Sequence, residues 1–80
     1  MAQDAAIRLS TVSVVEALAA SLRDRVLDGQ LTPGTTLAET EIAAEYGVSR
    51  PTARSAVTAL VHEGLLRRDA NKPAYVPPLT

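Results

Sequence analysis

Eighty residues make one small domain, which buries only about 60% of its unfolded surface on folding. Apolar residues make up 46%, but Phe and Trp are absent, so the core must be aliphatic; without cysteine there is no disulfide or thiolate metal site, and the lone His62 cannot build a metal site. The net charge of −1 argues against nucleic acid until its distribution is read: residues 1–48 carry seven acids and three bases (−4), whereas residues 49–80 carry five bases and two acids (+3), and phosphate attraction acts only over about a Debye length.

Residues 1–10 have no strong pattern and are expected to be a loosely ordered N-terminal extension. A first helix follows, with Val14, Val15, Leu18, Ala19, Leu22 and Val26 recurring at helical spacing as one apolar stripe. Thr11 or Ser13 can cap its start and Gly29 can end it. Arg23, Asp24, Arg25 and Asp28 fall mostly on the other face and read as a solvated surface. Pro33-Gly34 is a turn signal, since proline presets φ and glycine accepts a positive one. Thr35, Thr36 and Leu37 favour a short strand.

The second helix is expected from Glu39 to Tyr46. Glu39 and Glu41 suit the positive end of its dipole. Ile42, Ala43 and Tyr46 form its inner face, with the Tyr46 hydroxyl at the surface. Gly47 stops it in the left-handed conformation. A third helix begins near Ser49–Pro51. Ser49 is a good cap and Pro51 a good first-turn residue, but the two signals differ by one position, because a residue before proline avoids the helical region. Ala53, Ala56, Val57 and Leu60 form its core stripe. Arg50, Arg54 and Thr58 share an adjacent polar stripe, with Ser55 further round. Gly64 ends the helix, and His62 near that end reads as a surface residue.

Leu65 to Arg68 then reads as a strand, Asp69 to Pro73 as a turn in which Asn71 tolerates positive φ, and Ala74 to Val76 as a returning strand. Pro77-Pro78 ends it. Alternation places Arg67 and Arg68 on opposite faces of this hairpin. Tyr75 packs against the first helix or lies at the base of the hairpin.

Helix, strand, helix, helix and hairpin in this order make a mainly α winged helix-turn-helix: three helices plus a wing. Two arginines four apart at the start of the second helix of the motif are how such a fold offers basic side chains to a DNA groove. The plain alternative for Arg54 is a solvated side chain or an ion pair with a nearby acid. Three function classes compete. Sequence-specific DNA binding fits best. A winged helix used only for protein–protein contact has no need of a basic recognition helix. An enzyme is excluded by one histidine, no cysteine, no glycine-rich phosphate loop and no chain left for a deep pocket. Apolar runs are far too short to span a membrane and no signal peptide is visible, so a cytoplasmic protein is expected.

Four segments resemble the GntR-type bacterial regulators. Leu27-Asp28-Gly29-Gln30-Leu31-Thr32-Pro33-Gly34-Thr35-Thr36-Leu37 is similar to their G-x-L-x-P-G-x-x-L segment, and Glu39-Thr40-Glu41-Ile42-Ala43 to their E-R-E-L-A helix. Gly47-Val48-Ser49-Arg50-Pro51-Thr52-Ala53-Arg54 resembles G-V-S-R-x-x-V-R, and Glu63-Gly64-Leu65-Leu66 resembles E-G-L-[LIV]. The L-x-E-x-E-I-A form is most similar to the branch whose second domain is an all-helical ligand-binding bundle.

The resemblance implies a metabolite-responsive transcription factor, in most cases a repressor, that acts as a homodimer on double-stranded operator DNA. By motif match Arg50 and Arg54 reach base edges or phosphates in the major groove, Ser49 and Thr52 hold backbone phosphate, and the Asn71–Lys72 wing tip approaches the minor groove. Thr58 and, of the two wing arginines, Arg68 complete the expected DNA-binding set, together with Thr40, a hydroxyl where the family usually carries a DNA-contacting arginine. Ala38 stands where a capping side chain is common. The resemblance divides the chain into an extension (1–10), the winged helix-turn-helix (11–77) and the start of a linker to a further domain (78–80). No cofactor is expected. No small-molecule ligand is expected in this domain either, since so small a chain leaves little room for a cavity of about 300 Å³.

Overall fold

The computed structural model describes the backbone of residues 2–78 and the side chains of residues 12–78. The elements are α1 (Ala2–Leu27), β1 (Thr36–Leu37), α2 (Glu39–Tyr46), α3 (Arg50–His62) and β2 (Ala74–Tyr75). This is the expected winged helix-turn-helix: mainly helical, with one small antiparallel sheet.

α1 starts well before the expected caps. Between Ala2 and Asp28 no glycine or proline interrupts the helix, and alanine and leucine favour it, so nothing stops it short of Ala2. Thr11 and Ser13 are therefore interior positions, and residues 2–10 continue the helix rather than forming a loose extension. Its end is as expected: Gly29 takes φ 80°, and the amide of Leu31 returns to the carbonyl of Arg25 at 3.1 Å. The apolar stripe holds from Leu18 onward, with Leu18, Ala19 and Leu22 buried and Val26 half-buried. Val14 departs from it and is exposed, at the rim of a shallow groove beside Tyr46 and Val48.

The Pro33-Gly34 turn is of type II: the Thr35 amide bonds the Thr32 carbonyl at 3.0 Å, and Gly34, in third position, has φ 89°. α2 has the predicted bounds. No side chain caps it at Ala38, and Gly47 closes it in the left-handed region at φ 66°. The ambiguity at the start of α3 resolves in favour of Ser49 as cap, with Arg50 the first helical residue and Pro51 the second.

The wing is smaller than a two-stranded hairpin. Leu65 and Leu66 both direct their amides to the carbonyl of Leu60, at 3.0 and 3.3 Å, to close the end of α3. Those amides are thus spent on the helix terminus, and the expected strand 65–68 shrinks to a single bridge between Arg67 and Tyr75. The main partner of β2 is β1, with Thr36 opposite Tyr75 and Leu37 opposite Ala74. Tyr75 accordingly sits at the wing base.

One aliphatic core joins these elements. Ala53, Ala56, Val57 and Leu60 of α3 are fully shielded from solvent and meet Leu18, Ala19 and Leu22 of α1, Ile42 and Ala43 of α2, and Leu37, Leu66, Ala74 and Val76 around the sheet. The small alanines on α3 let its neighbours approach closely.

The charged face of α1 is not simply solvated. Arg23 donates from Nε and Nη2 to the two carboxylate oxygens of Glu63 at the end of α3, both at 2.7 Å. Arg25 donates to Tyr46 Oη at 3.0 Å and Glu45 Oε1 at 3.2 Å, and Tyr46 Oη also meets Ser21 Oγ at 3.0 Å. The hydrogen bonds from Arg23 hold the Glu63 carboxyl below the usual carboxylate range. A depressed folded-state value means stability that is present at neutral pH and lost as the pH falls through that value. Glu63→Gln is therefore expected to lower the urea midpoint near neutrality, and the gap from wild type should close as the pH falls below the usual carboxylate range. Equilibrium unfolding of both proteins across that range checks this, and a gap that persists unchanged in acid would contradict it.

Candidate nucleic-acid interface

The turn at Gly47 sets α3 against α2 so that the first turn of α3 projects outward. Ser49 fixes that turn: its Oγ accepts from the Thr52 amide at 3.2 Å and donates to Thr52 Oγ1 at 2.8 Å. Because the buried stripe of α3 faces inward, the i, i+4 positions beside it carry Arg50 and Arg54 to the surface, where both are exposed.

Beside this helix lies an open groove of about 480 Å³. Thr40 at the start of α2, Arg50 and Arg54 on α3, and Arg68, Asn71 and Lys72 on the wing all line it. Six of the nine residues singled out from sequence thus converge on one surface. The wing tip reaches it through a turn closed by the Lys72 amide on the Asp69 carbonyl at 3.2 Å, with Asn71 at φ 62°, the conformation its side chain tolerates. Arg67 lies on the opposite side, against an apolar groove of about 450 Å³ lined by Val26, Leu31, Leu65 and Val76 among others. The alternation of the two wing arginines is therefore real, and Arg68 is the one on the α3 side. That apolar groove also corrects the argument from size, since an 80-residue chain does leave an open depression of this volume.

Ser49, Thr52 and Thr58 do not line the basic groove. Ser49 and Thr52 bond one another, and Thr58 accepts from Arg68 Nη1 at 3.3 Å. Glu39 is the groove residue that sequence reasoning missed, having been read only as a favourable charge at a helix start. Its carboxylate meets Arg54 Nε at 3.2 Å and Arg68 Nη2 at 3.5 Å. No local pattern announces either pair, because the partners lie on separate elements. Arg54 nevertheless keeps 68% of its side chain exposed, and Arg50 has no ion pair among the described residues. The groove thus holds four cations around one carboxylate: an open, anion-attracting surface. Among the described residues there is no group of His, Asp and Glu able to hold a metal, and no helix is long and apolar enough to cross a membrane.

This geometry agrees with what the chain is similar to. Residues 14–76 match the family model of bacterial regulatory proteins of the gntR family. The chain belongs to the gntR family. Among its gntR relatives, the gluconate operon transcriptional repressor of Bacillus subtilis (strain 168) is 41% identical over 59 residues, which is 74% of this chain and 24% of that protein. The transcriptional repressor NagR of the same organism is 34% identical over 68 residues, 84% of this chain and 28% of that protein. The chain thus spans about a quarter of the length of these curated relatives. Two solved structures superpose closely, the first of them a GntR family member. A transcriptional regulator from Pseudomonas syringae pv. tomato str. DC3000 gives a TM-score of 0.75 at 38% identity, covering 82% of this chain and 28% of that one. The DNA-binding domain of AraR in complex with operator ORX1 gives 0.71 at 26% identity, covering 79% and 77%. The gntR relatives are transcriptional regulators and not enzymes.

Proposed function

We propose that this chain is the DNA-binding domain of a metabolite-responsive regulator that represses transcription by reading an operator half-site as one half of a homodimer. The observation that carries the reading is the convergence of Arg50 and Arg54 on α3 with Asn71 and Lys72 on the wing along one open groove. In this pose α3 enters the major groove, the wing tip approaches the minor groove, and Ser49, Thr52 and Thr40 flank the phosphates. The likeness to the operator-bound AraR domain and to named repressors supports it. A winged helix serving protein contacts alone is not favoured, because it would have no use for four cations in one groove. The L-x-E-x-E-I-A form supports the branch with an all-helical ligand-binding domain beyond residues 78–80. Metabolite recognition is assigned to that domain, with the present one acting in the cytoplasm without ligand or cofactor.

Binding should weaken steeply with salt. Each phosphate neutralised contributes about −0.9 to the slope of log K against log salt, through release of condensed counterions. Fluorescence anisotropy of a labelled duplex, titrated at rising salt with and without organic-acid or amino-acid ligands, tests both parts. A flat salt response overturns the groove as a phosphate surface, and a ligand-dependent affinity in this isolated chain overturns the division of labour.

A further inference from the structure

A carboxylate in the middle of a phosphate-binding groove repels the ligand the groove is built to attract. Glu39 occupies that place, and it is not there by default, since its side chain is only 25% exposed and both its oxygens are engaged. Oε2 accepts from Arg54 Nε and Oε1 faces Arg68 Nη2. Arg68 in turn gives Nη1 to the Thr58 hydroxyl, two residues past the middle of α3. Wing, α2 and α3 are thereby linked through one carboxylate.

The atoms used are informative. Arg54 is held by Nε, on the inner side of its guanidinium, so its terminal Nη1 and Nη2 stay available for the groove. Arg68 turns both terminal nitrogens toward the protein, Nη1 donating to Thr58 at 3.3 Å and Nη2 facing Glu39 at 3.5 Å, and its side chain is 32% exposed against 68% for Arg54. The two arginines therefore have different work, although both line the same groove. A guanidinium reads guanine only when its terminal fork lies in the plane of the base edge. A free arginine at an exposed helix position samples many rotamers and can settle on any phosphate instead.

We propose that Glu39 is a positioning residue for specificity: it aims the terminal fork of Arg54 at the base edges, and Arg68 acts as the strut that holds Glu39 rather than as a DNA contact. Neutralising Glu39 removes the aim and the repulsion together. The freed guanidinium gains a phosphate, random sequences bind better, and the preference for the operator shrinks.

This inference rests on the DNA-binding reading above, and the experiment separates the two. The wild-type chain selects a preferred duplex from a random library; its affinity for that duplex and for a scrambled one is then measured across a salt series. Glu39→Gln, Arg68→Ala and the double variant follow, each with its thermal midpoint recorded. Glu39→Gln should raise affinity for scrambled DNA several-fold, steepen its salt slope by about 0.9, and cut the preference about tenfold. Arg68→Ala should cut the preference too, leave the scrambled-DNA slope no shallower, and add nothing in the Glu39→Gln background. A loss of folding moves thermal midpoints but cannot steepen a salt slope. Unchanged slope and preference in Glu39→Gln overturn the positioning role. Arg68→Ala weakening both duplexes equally, with a slope shallower by about 0.9, makes Arg68 a phosphate contact and overturns the strut. If the wild-type chain binds neither duplex, the DNA-binding reading itself falls, and this inference with it.

Discussion

Leu60→Ala should cost about 2–5 kcal/mol of folding free energy, the largest effect of any single truncation in this chain. Leu60 has no solvent exposure and belongs to the same buried cluster as Leu22 of α1 and Leu66 beyond the helix end. Its backbone carbonyl also takes the amides of Leu65 and Leu66, so the surrounding chain is tied in place and cannot collapse into the space the side chain vacates. Alanine favours the helix, which keeps the loss a matter of packing rather than of secondary structure. A domain of this size has roughly 4–12 kcal/mol in hand, so much of the total disappears. Leu27→Ala is the control: at 66% exposure it should change stability by less than about 0.5 kcal/mol. Urea unfolding followed by circular dichroism compares them. Similar midpoints for the two variants would mean that the core is not organised around α3.

Arg54→Ala and Lys72→Ala should both weaken DNA binding but in different ways. Arg54 presents its terminal nitrogens from the face of α3 that opens on the groove, and an arginine paired with guanine is worth about 1–3 kcal/mol of discrimination. Its loss should therefore reduce the ratio of operator to random affinity by about 5- to 150-fold. Lys72 lies at the exposed wing tip, on a flexible stem with a compact charge, and suits phosphate rather than a base edge. Its loss should lower both affinities by the same factor and make the salt slope shallower by about 0.9. Anisotropy titrations against both duplexes decide the matter. Equal proportional losses in both variants would remove Arg54 from the reading of sequence.

What the sequence made legible were features written in neighbouring residues. α2 and the end of α3 followed from Gly47 and Gly64, whose positive φ matches their role as stops. The inner stripe of α3 was complete, because Ala53, Ala56, Val57 and Leu60 recur at helical spacing and all are buried. The convergence of wing and α3 followed from element order. The acids that pair with two arginines went unidentified for one reason. Arg23 meets Glu63, 40 residues on, and Arg54 meets Glu39, 15 residues back. Both are tertiary pairs that leave no periodic trace. The strand expected at 65–68 failed because the amides of Leu65 and Leu66 had a better partner in the helix terminus. The early start of α1 was missed by expecting a cap at Thr11 or Ser13, where a run of helix formers needed none.

The return strand of the wing has neighbours on both sides. Tyr75 exchanges backbone hydrogen bonds with Arg67 at 2.8 and 3.0 Å, while Val76 is stitched to Gly34 and Thr35 at 2.8 and 2.9 Å. A wing built as a lone hairpin could swing on its two stems, and docking would then have to freeze that motion. Here the base of the wing is woven into the front half of the chain, so the backbone that carries Asn71 and Lys72 is already placed against α3 when a duplex arrives. The ordering entropy of that segment is spent during folding, and binding is left to immobilise little more than side chains. Such preorganisation would favour the proposed binding, in which only Arg50, Arg54 and Lys72 offer charge to a duplex.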